Sequence, residues 1–180
     1  RDLYFKESIT WSKVTSGGLS MRYVPEGSAF DVAGCSIFIE HNIKYLLSFV
    51  NSKVMQYLIN CLSQTLNYEV GHIKTIPVYI EEDKHLIVDQ LVDQCIEISK
   101  QDWDSFETSW DFKHHPLLTN TIYIKDGFNS WTNQCQTRFN KVKYNEEELN
   151  RIFINTYGLQ NELTPEEYES DITIRLADKE

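Results

Sequence analysis

Apolar and polar residues alternate in short segments of the first 40 residues, and this period of two is typical of half-buried β-strands. Stretches rich in glycine and proline separate the segments. Ser16-Gly17-Gly18 predicts a hairpin turn between the first two, because glycine adopts the positive φ that such turns use. The pattern therefore predicts a strand-rich region, with strands at ITWSKV, LSMRYV, SAFDVA and CSIFIE.

The period changes to three and four between residues 40 and 64, where apolar positions form the stripe of an amphipathic helix. Asn51-Ser52 interrupts the stripe, and either side chain is suited to cap a second helix. Residues 65–78, TLNYEVGHIKTIPV, alternate again. They predict an extended strand that carries Asn67 and Lys74 at polar positions and reaches a sheet edge or bend at Pro77.

Helical patterns dominate the rest of the chain. Apolar stripes over residues 86–98 and 131–142 predict two helices. Asn145, followed by three glutamates, predicts the N-cap of a further helix, which Gly158 is expected to end. Between these helices lies a connector rich in aromatic residues. These aromatics belong to a core or form an exposed docking patch, and the core interpretation is preferred; they are Trp103, Phe106, Trp110 and Phe112.

These elements define an expected fold class. We predict an α+β protein in which a small mixed or antiparallel sheet with a supporting helix precedes a mainly helical C-terminal region. The boundary is placed between residues 1–82 and residues 83–180, where the pattern turns helical and acidic.

Composition and charge narrow the functional class. The chain has 41% hydrophobic and 24% charged residues, as in a globular protein, and no apolar run approaches the length of a membrane span. The net charge of −10 is uneven, because residues 1–80 hold seven basic and six acidic residues, whereas residues 81–180 hold ten and twenty-one. The acidic half is expected to face water or protein, since DNA affinity comes largely from neutralised phosphates.

Catalytic and metal-binding patterns are not found in the sequence. The four widely spaced cysteines predict buried thiols in a reducing cytoplasm, and none forms a CxxC pair; they are Cys35, Cys61, Cys95 and Cys135. We therefore assign no catalytic residue and no metal ligand. The N-terminal RDLYFKESITW has neither an initiator methionine nor the apolar stretch of a signal peptide, so we expect the sequence to be part of a longer chain.

A polar surface remains as the candidate for function. Basic, amide and hydroxyl side chains near the predicted turn and on the later strand can bond base edges and phosphates of DNA. The alternative is an ordinary soluble loop, and composition alone favours it. The candidate DNA-binding residues are Lys13, Thr15, Ser16, Arg22, Asn67 and Lys74.

Six ordered segments carry a family resemblance over nearly the whole chain. ITWSKVTSGGLSMRY, FDVAGCSIF, LLSFVNSKVMQYLI and TLNYEVGHIKTIPV resemble the recognition half of adenine-specific DNA methyltransferases with a fused specificity domain, including type IIG restriction-modification enzymes. SWDFKHHPLL and NEEELNRIFINTYGLQNELTPE resemble the C-terminal region of the PglX methyltransferases of BREX phage-defence systems.

The resemblance implies that the full protein transfers a methyl group from S-adenosylmethionine to adenine in a defined DNA sequence. The glycine-rich cofactor loop and the NPPY-type motif of that chemistry do not occur in this sequence. Residues 1–82 are therefore expected to contain part of a target-recognition subdomain that contacts double-stranded DNA. Residues 83–180 are expected to pack on it, on the methyltransferase domain or on other defence-system proteins. The alternative is a protein-interaction module that does not read DNA; neither implies a membrane.

Overall fold

A computed structural model describes residues 2–15, 17–31, 33–62, 67–118 and 123–176. Within these residues the fold is α+β, with an antiparallel sheet followed by a mainly helical part, which confirms the predicted class. The strands are β1 (Ser8–Ser12), β2 (Met21–Val24) and β3 (Gly34–Ile37). The helices are α1 (Ile43–Asn51), α2 (Lys53–Leu62), α3 (Val70–Thr75), α4 (His85–Trp103) and α5 (Ile124–Tyr157), with a 3₁₀ turn at Glu82–Lys84.

The sheet has the strand order β2-β1-β3, with β1 antiparallel to both neighbours. The sequence SITWS of β1 explains its two faces, because successive side chains of a strand point to opposite sides. Ile9 and Trp11 are buried on one face, together with Met21 of β2. The opposite face carries the polar residues of β1. The predicted strands at ITWSKV, LSMRYV and CSIFIE are confirmed, and the first two pair as expected.

The strand predicted at SAFDVA is wrong. Of this stretch, residue 32 lies outside the residues that the structure describes. Residues 28–31 are irregular, and the strand begins at Gly34. The cause is local. The carboxylate of Asp31 accepts hydrogen bonds from the backbone N–H groups of Ala33 and Gly34, at 2.9 and 3.0 Å. Such a side-chain turn competes with strand pairing for the same backbone groups.

Ser52 divides the predicted long helix in two, as expected. Its backbone is extended, at φ −75° and ψ 159°, so α1 ends there. Its hydroxyl accepts a hydrogen bond from the Met55 N–H at 3.3 Å, which satisfies one of the unpaired donors at the start of α2. Ser52 is therefore the residue that caps the second helix.

Asn51 joins the outer strand of the sheet to α1. Its carboxamide accepts a hydrogen bond from the Met21 N–H at 2.8 Å and donates one to the Met21 carbonyl at 2.9 Å. It also donates to the Leu47 carbonyl at 3.0 Å. Both backbone groups of Met21 are thus satisfied on the edge of β2 that faces away from β1, as a further strand would satisfy them.

The strand predicted over residues 65–78 is wrong. Residues 70–75 form the short helix α3, and Asn67 pairs with Val14 in an isolated antiparallel bridge. Ile73 and Ile76 are buried three residues apart, so the apolar positions also fit a helical period. Extended pairing ends at Tyr68, whose N–H donates to the Lys13 carbonyl at 2.8 Å.

The described chain forms two compact units, Arg1–Val92 with Leu149–Pro165, and Asp93–Glu148 with Glu166–Glu180. The boundary predicted between residues 82 and 83 separates a DNA-recognition part from a part that packs on other domains, and it remains a prediction.

An aromatic cluster fills the first unit. The ring of Phe153 meets those of Tyr45 and Phe49 edge-on, at centroid distances of 5.4 and 5.6 Å.

In the second unit, Phe139 and Val142 form a buried cluster with Ile172 and Ile174. The latter two residues belong to a segment without regular secondary structure that follows the last helix. The cluster therefore fixes the position of this C-terminal segment on α5.

Asn145 is not a helix N-cap, contrary to expectation. It lies within the continuous helix α5, is fully buried, and donates to the Gln94 side chain at 3.0 Å. The apolar stripe of α5 continues through Leu149 and Phe153, so burial outweighs the local signal for a helix start.

The expected end of the helix at Gly158 is confirmed. Its φ is 69°, and the Leu159 N–H bonds the Ile154 carbonyl at 2.9 Å in a Schellman motif.

Glu146 connects α5 to the C-terminal segment of the second unit. Its carboxylate accepts a hydrogen bond from the Thr173 N–H at 3.4 Å. Burial raises the pKa of Glu146 to about 7, and the hydrogen bond from Thr173 opposes that rise. An ionised carboxylate is therefore unfavourable in this position.

Replacing Asn51 with alanine should destabilise the chain by about 3 kcal/mol, because three hydrogen bonds of roughly 1 kcal/mol each are lost and the backbone of Met21 is left unpaired. Chemical denaturation measures the change. The matched control is Asn60→Ala on the exposed face of α2, which should change the free energy of unfolding by less than about 0.5 kcal/mol. Equal effects of the two substitutions would contradict the role given to Asn51.

Glu146 should make stability fall as pH rises. Because its pKa in the folded chain is about 7, above the ordinary 4.5, the folded chain retains a proton that the unfolded chain releases between these values. Glu146→Gln should therefore be more stable than the unmodified chain at pH 8, by up to about 3 kcal/mol. The difference should shrink towards zero as pH falls to about 4.5.

Denaturation midpoints at several pH values test this expectation. The exposed Glu107→Gln serves as the control for loss of a carboxylate and should show no such pH-dependent gain. A stability difference for Glu146→Gln that is the same at pH 5 and pH 8 would contradict it.

Candidate nucleic-acid interface

The polar face of the sheet forms one side of a groove of about 400 Å³. The loop that connects β2 to β3 forms another side, and Phe30 contributes an aromatic ring. Hydroxyl groups dominate the polar lining, with one lysine and one carboxylate. The polar lining residues are Lys6, Ser8, Thr10, Ser28, Asp31 and Ser36. This composition suits a partner that both donates and accepts hydrogen bonds.

A row of three polar residues crosses this face. In the strand register, Thr10 lies opposite Arg22 of β2 and opposite Ser36 of β3. Directly opposite residues of antiparallel strands share a face, so the three side chains are neighbours. Arg22 is exposed, and no ion pair joins it to a carboxylate among the described residues. The row therefore offers a charged donor beside two hydroxyl groups.

The two hydroxyl groups of the row differ in hydrogen bonding. The Thr10 hydroxyl donates to the Cys35 carbonyl at 2.9 Å. The Ser36 hydroxyl is buried and has no hydrogen-bond partner among the described residues. A buried polar atom without a partner is unusual in a folded protein and calls for a reason. Ser36 thus has unused hydrogen-bonding capacity at the groove.

A second group of polar residues lies where β1 ends. The ammonium of Lys13 pairs with the Glu69 carboxylate at 3.2 Å, and both side chains are partly exposed. Asn67 is bridged to Val14 in the same place. The hydroxyl of Thr15 accepts a hydrogen bond from the Gly17 N–H at 3.2 Å. The charge of Lys13 is therefore partly compensated, unlike that of Arg22.

The six residues predicted from the sequence do not form one cluster. Arg22 lies on the groove face of the sheet, whereas Lys13, Thr15 and Asn67 lie near the end of β1. Lys74 is exposed in the last turn of α3. Ser16 lies outside the described residues. Their roles in DNA binding remain predictions.

The sequence analysis missed the hydroxyl-bearing residues of the groove. The signal was present in SITWS, where Ser8 and Thr10 alternate with apolar residues that are buried on the other face. Within CSIFIE, Ser36 likewise lies on the polar face of the sheet, opposite Thr10. This period of two marks the polar face of β1, on which Ser8 is buried and Thr10 is half-buried.

Burial disfavours the reactive thiolate form of two of the cysteines. Burial raises the pKa of Cys95 to about 12, and burial also raises the pKa of Cys135, so the thiol form is favoured in both. Cys61 is exposed, which corrects the expectation of buried thiols, because it lies near the C-terminal end of α2. Within the described ranges, no group of three metal-binding side chains occurs.

The aromatic connector is exposed rather than part of a core. Trp110 is fully exposed, and Trp103 and Phe106 are 57% and 44% exposed. Phe112 is half-buried. The preferred core interpretation is therefore wrong for these three residues. Trp103 ends α4 with its ring exposed, and Phe106 and Trp110 lie in irregular turns that leave their rings in solvent. None of the helices described is long and apolar enough to cross a membrane.

These features define a small α+β region with a polar face on its sheet. Two curated proteins align with almost all of the chain. The adenine-specific methyltransferase PglX of Lacticaseibacillus casei (strain Zhang) is 39% identical over 181 residues, which cover 96% of the chain. The adenine-specific methyltransferase BrxX of Escherichia coli O9:H4 (strain HS) is 34% identical over 168 residues, which cover 91%.

The chain spans 15% of the length of the first relative and 14% of the second. It is a PglX-like fragment, homologous to one segment of these adenine-specific methyltransferases. No protein-family model matches it.

Substitution of the two groove hydroxyls should have opposite effects on stability. Thr10→Val removes the donor to the Cys35 carbonyl and should cost about 1 kcal/mol. Ser36→Ala removes a hydroxyl that has no partner, so it should leave stability unchanged or raise it by up to about 1 kcal/mol. Chemical denaturation of both variants measures the difference. A loss for Ser36→Ala as large as that for Thr10→Val would show that Ser36 is already hydrogen-bonded.

Proposed function

We propose that the chain is the DNA sequence-recognition portion of a site-specific adenine DNA methyltransferase in a BREX-type phage-defence or restriction-modification system. The observation that carries the proposal is the cross-strand row of Arg22, Thr10 and Ser36 on the polar face of the sheet, where Arg22 is exposed and the Ser36 hydroxyl is buried. The names of the two relatives supply the class of enzyme.

The chemistry of the row suits the edges of base pairs. A guanidinium donates two hydrogen bonds to O6 and N7 of guanine, and serine and threonine hydroxyls bond several bases. The major groove of DNA admits a narrow β-ribbon, so strands can present such side chains there. The unpartnered hydroxyl of Ser36 would gain from a base edge the hydrogen bond that the described protein does not give it.

The second group of residues fits contact with the DNA backbone. Lys13 and Lys74 carry positive charge, and Asn67 and Thr15 provide uncharged hydrogen-bonding groups near the end of β1. Contacts with phosphate fix the position of a protein on DNA, whereas base contacts specify the sequence. On DNA, a phosphate would replace the Glu69 carboxylate as the partner of Lys13, so that the lysine would stay paired.

Methyl transfer itself requires groups that the sequence analysis did not find in this chain. In the full-length protein we assign S-adenosylmethionine and its binding loop to a separate methyltransferase domain. The target adenine must leave the base stack to reach that domain, and this makes the choice of sequence separable from the chemistry. The role of the present chain would be to determine which adenine is presented.

A second function is favoured by the exposed aromatics of the connector. Trp103, Phe106 and Trp110 are accessible in the second unit, which holds eight basic and sixteen acidic residues. An acidic surface repels phosphate, whereas aromatic side chains are enriched in protein interfaces. The second unit would then bind the methyltransferase domain or another defence-system protein, as an interaction module that does not read DNA.

Segment exchange in the full-length protein tests the proposal. Residues 8–80 are replaced with the matching segment of a relative that methylates another sequence, and methylated adenines are mapped by single-molecule sequencing. The donor's sequence should then be methylated. Full activity at the original sequence would assign recognition elsewhere and leave the interaction module as the function.

Arg22→Ala supplies the finer form of the same experiment. Loss of one bidentate base contact should lower methylation of the original sequence about 10- to 100-fold and relax the choice at one base pair. Lys125→Ala, an exposed lysine of the second unit, is the control and should leave sequence choice unchanged.

A further inference from the structure

Phe5 combines exposure with an unfavourable backbone conformation. Its side chain is 64% exposed, and its φ is 67°. Non-glycine residues rarely adopt this left-handed conformation, and a bulky residue there is strained. Asparagine or glycine would fit the backbone better and would not expose a ring. Neither local conformation nor burial explains a phenylalanine at this position.

Two backbone hydrogen bonds maintain the strained conformation. The Phe5 N–H donates to the Ser28 carbonyl at 3.0 Å, and the Gly27 N–H donates to the Phe5 carbonyl at 3.0 Å. Gly27 itself has a φ of 103°, which only glycine adopts readily. The turn that includes Gly27 thus fixes the backbone of Phe5 from both sides. Strain that surrounding structure enforces in this way is often associated with function.

The ring of Phe5 lies beside a row of aromatic rings at the groove, with a centroid distance of 6.3 Å to the ring of Tyr4. The neighbouring ring of Tyr4 packs on Phe30 at a centroid distance of 5.0 Å, and Phe30 packs on Phe38 at 5.1 Å. Phe30 lines the groove, and so does Lys6, which directly follows Phe5 in the chain. Phe5 is therefore an exposed aromatic residue with a constrained backbone at the rim of the polar face.

We propose that Phe5 is a wedge that stacks against or between base pairs at the edge of the recognised DNA sequence, an inference that rests on the proposed function. Apolar side chains inserted at a base step unstack it and bend the duplex. Lys6 adjoins the wedge with a positive charge for the nearby phosphates. The fixed backbone reduces the entropy that ordering such a side chain on DNA would cost.

The test uses the full-length protein and duplex oligonucleotides that contain its mapped methylation sequence. The probe is 2-aminopurine, whose fluorescence rises on unstacking, placed in turn at positions within and beside this sequence, except at the methylated adenine. The unmodified protein should raise fluorescence at one step. Phe5→Asn keeps a residue that tolerates positive φ but removes the ring; it should abolish that rise and weaken binding about 10-fold or more.

Three further variants make the outcome specific. Phe5→Trp keeps an aromatic ring and should retain the fluorescence change. Tyr79→Ala removes a ring of similar exposure, 61%, elsewhere in the same unit and should have no effect. Arg22→Ala tests the proposed function independently, because it should alter the methylated sequence without removing the wedge.

Two results would overturn the wedge. If Phe5→Asn unstacks and binds DNA like the unmodified protein while Arg22→Ala changes the methylated sequence, the proposed function stands and the wedge fails. If Phe5→Asn lowers the thermal midpoint and reduces binding to all DNA sequences alike, the ring packs within the full-length protein. Failure of Arg22→Ala and of the segment exchange together would instead reject the proposed function.

Discussion

The polar face of the sheet depends on the contact between the Asn51 carboxamide and the backbone of Met21. Strand β2 lies at the edge of the sheet, so one side of its backbone lacks a neighbouring strand. Asn51 occupies that side with a donor and an acceptor and ties the strand to α1. Arg22 is the next residue along β2. Its position opposite Thr10 is thus fixed by a helix as well as by strand pairing.

The buried face of the sheet fixes the orientation of the exposed one. Ile9 and Trp11 are almost fully buried, and the indole N–H of Trp11 donates to the Tyr68 carbonyl at 3.0 Å. A shift of β1 by one residue would turn the side chains of Ile9 and Trp11 away from the core and put those of Ser8 and Thr10 in their place, so the register is strongly determined. The packing of the apolar side chains therefore determines where the hydroxyl groups of β1 lie.

The sequence was sufficient to predict elements whose signals are local. The strand at ITWSKV, a cap at Asn51 or Ser52 and the stop at Gly158 follow from alternation, a capping side chain and a glycine. The structure contains all three, with the strand at Ser8–Ser12 and the cap at Ser52. The helix start predicted at Asn145 failed because tertiary burial outweighed a local signal. The groove could not be predicted in full, since Ser36 and Thr10 meet only through strand pairing between distant segments.

The Ser36 hydroxyl is the feature of the polar face that strand pairing does not explain, because it has no hydrogen-bond partner among the described residues. Alanine at this position would avoid the cost of a buried hydroxyl without a partner, and the adjacent Thr10 hydroxyl shows that the backbone offers an acceptor within reach of this face. A hydroxyl without a partner among the described residues, beside a guanidinium that none of the described carboxylates pairs, is expected if an external partner completes both. A base-pair edge has the donors and acceptors to do so, whereas a purely apolar protein surface has neither.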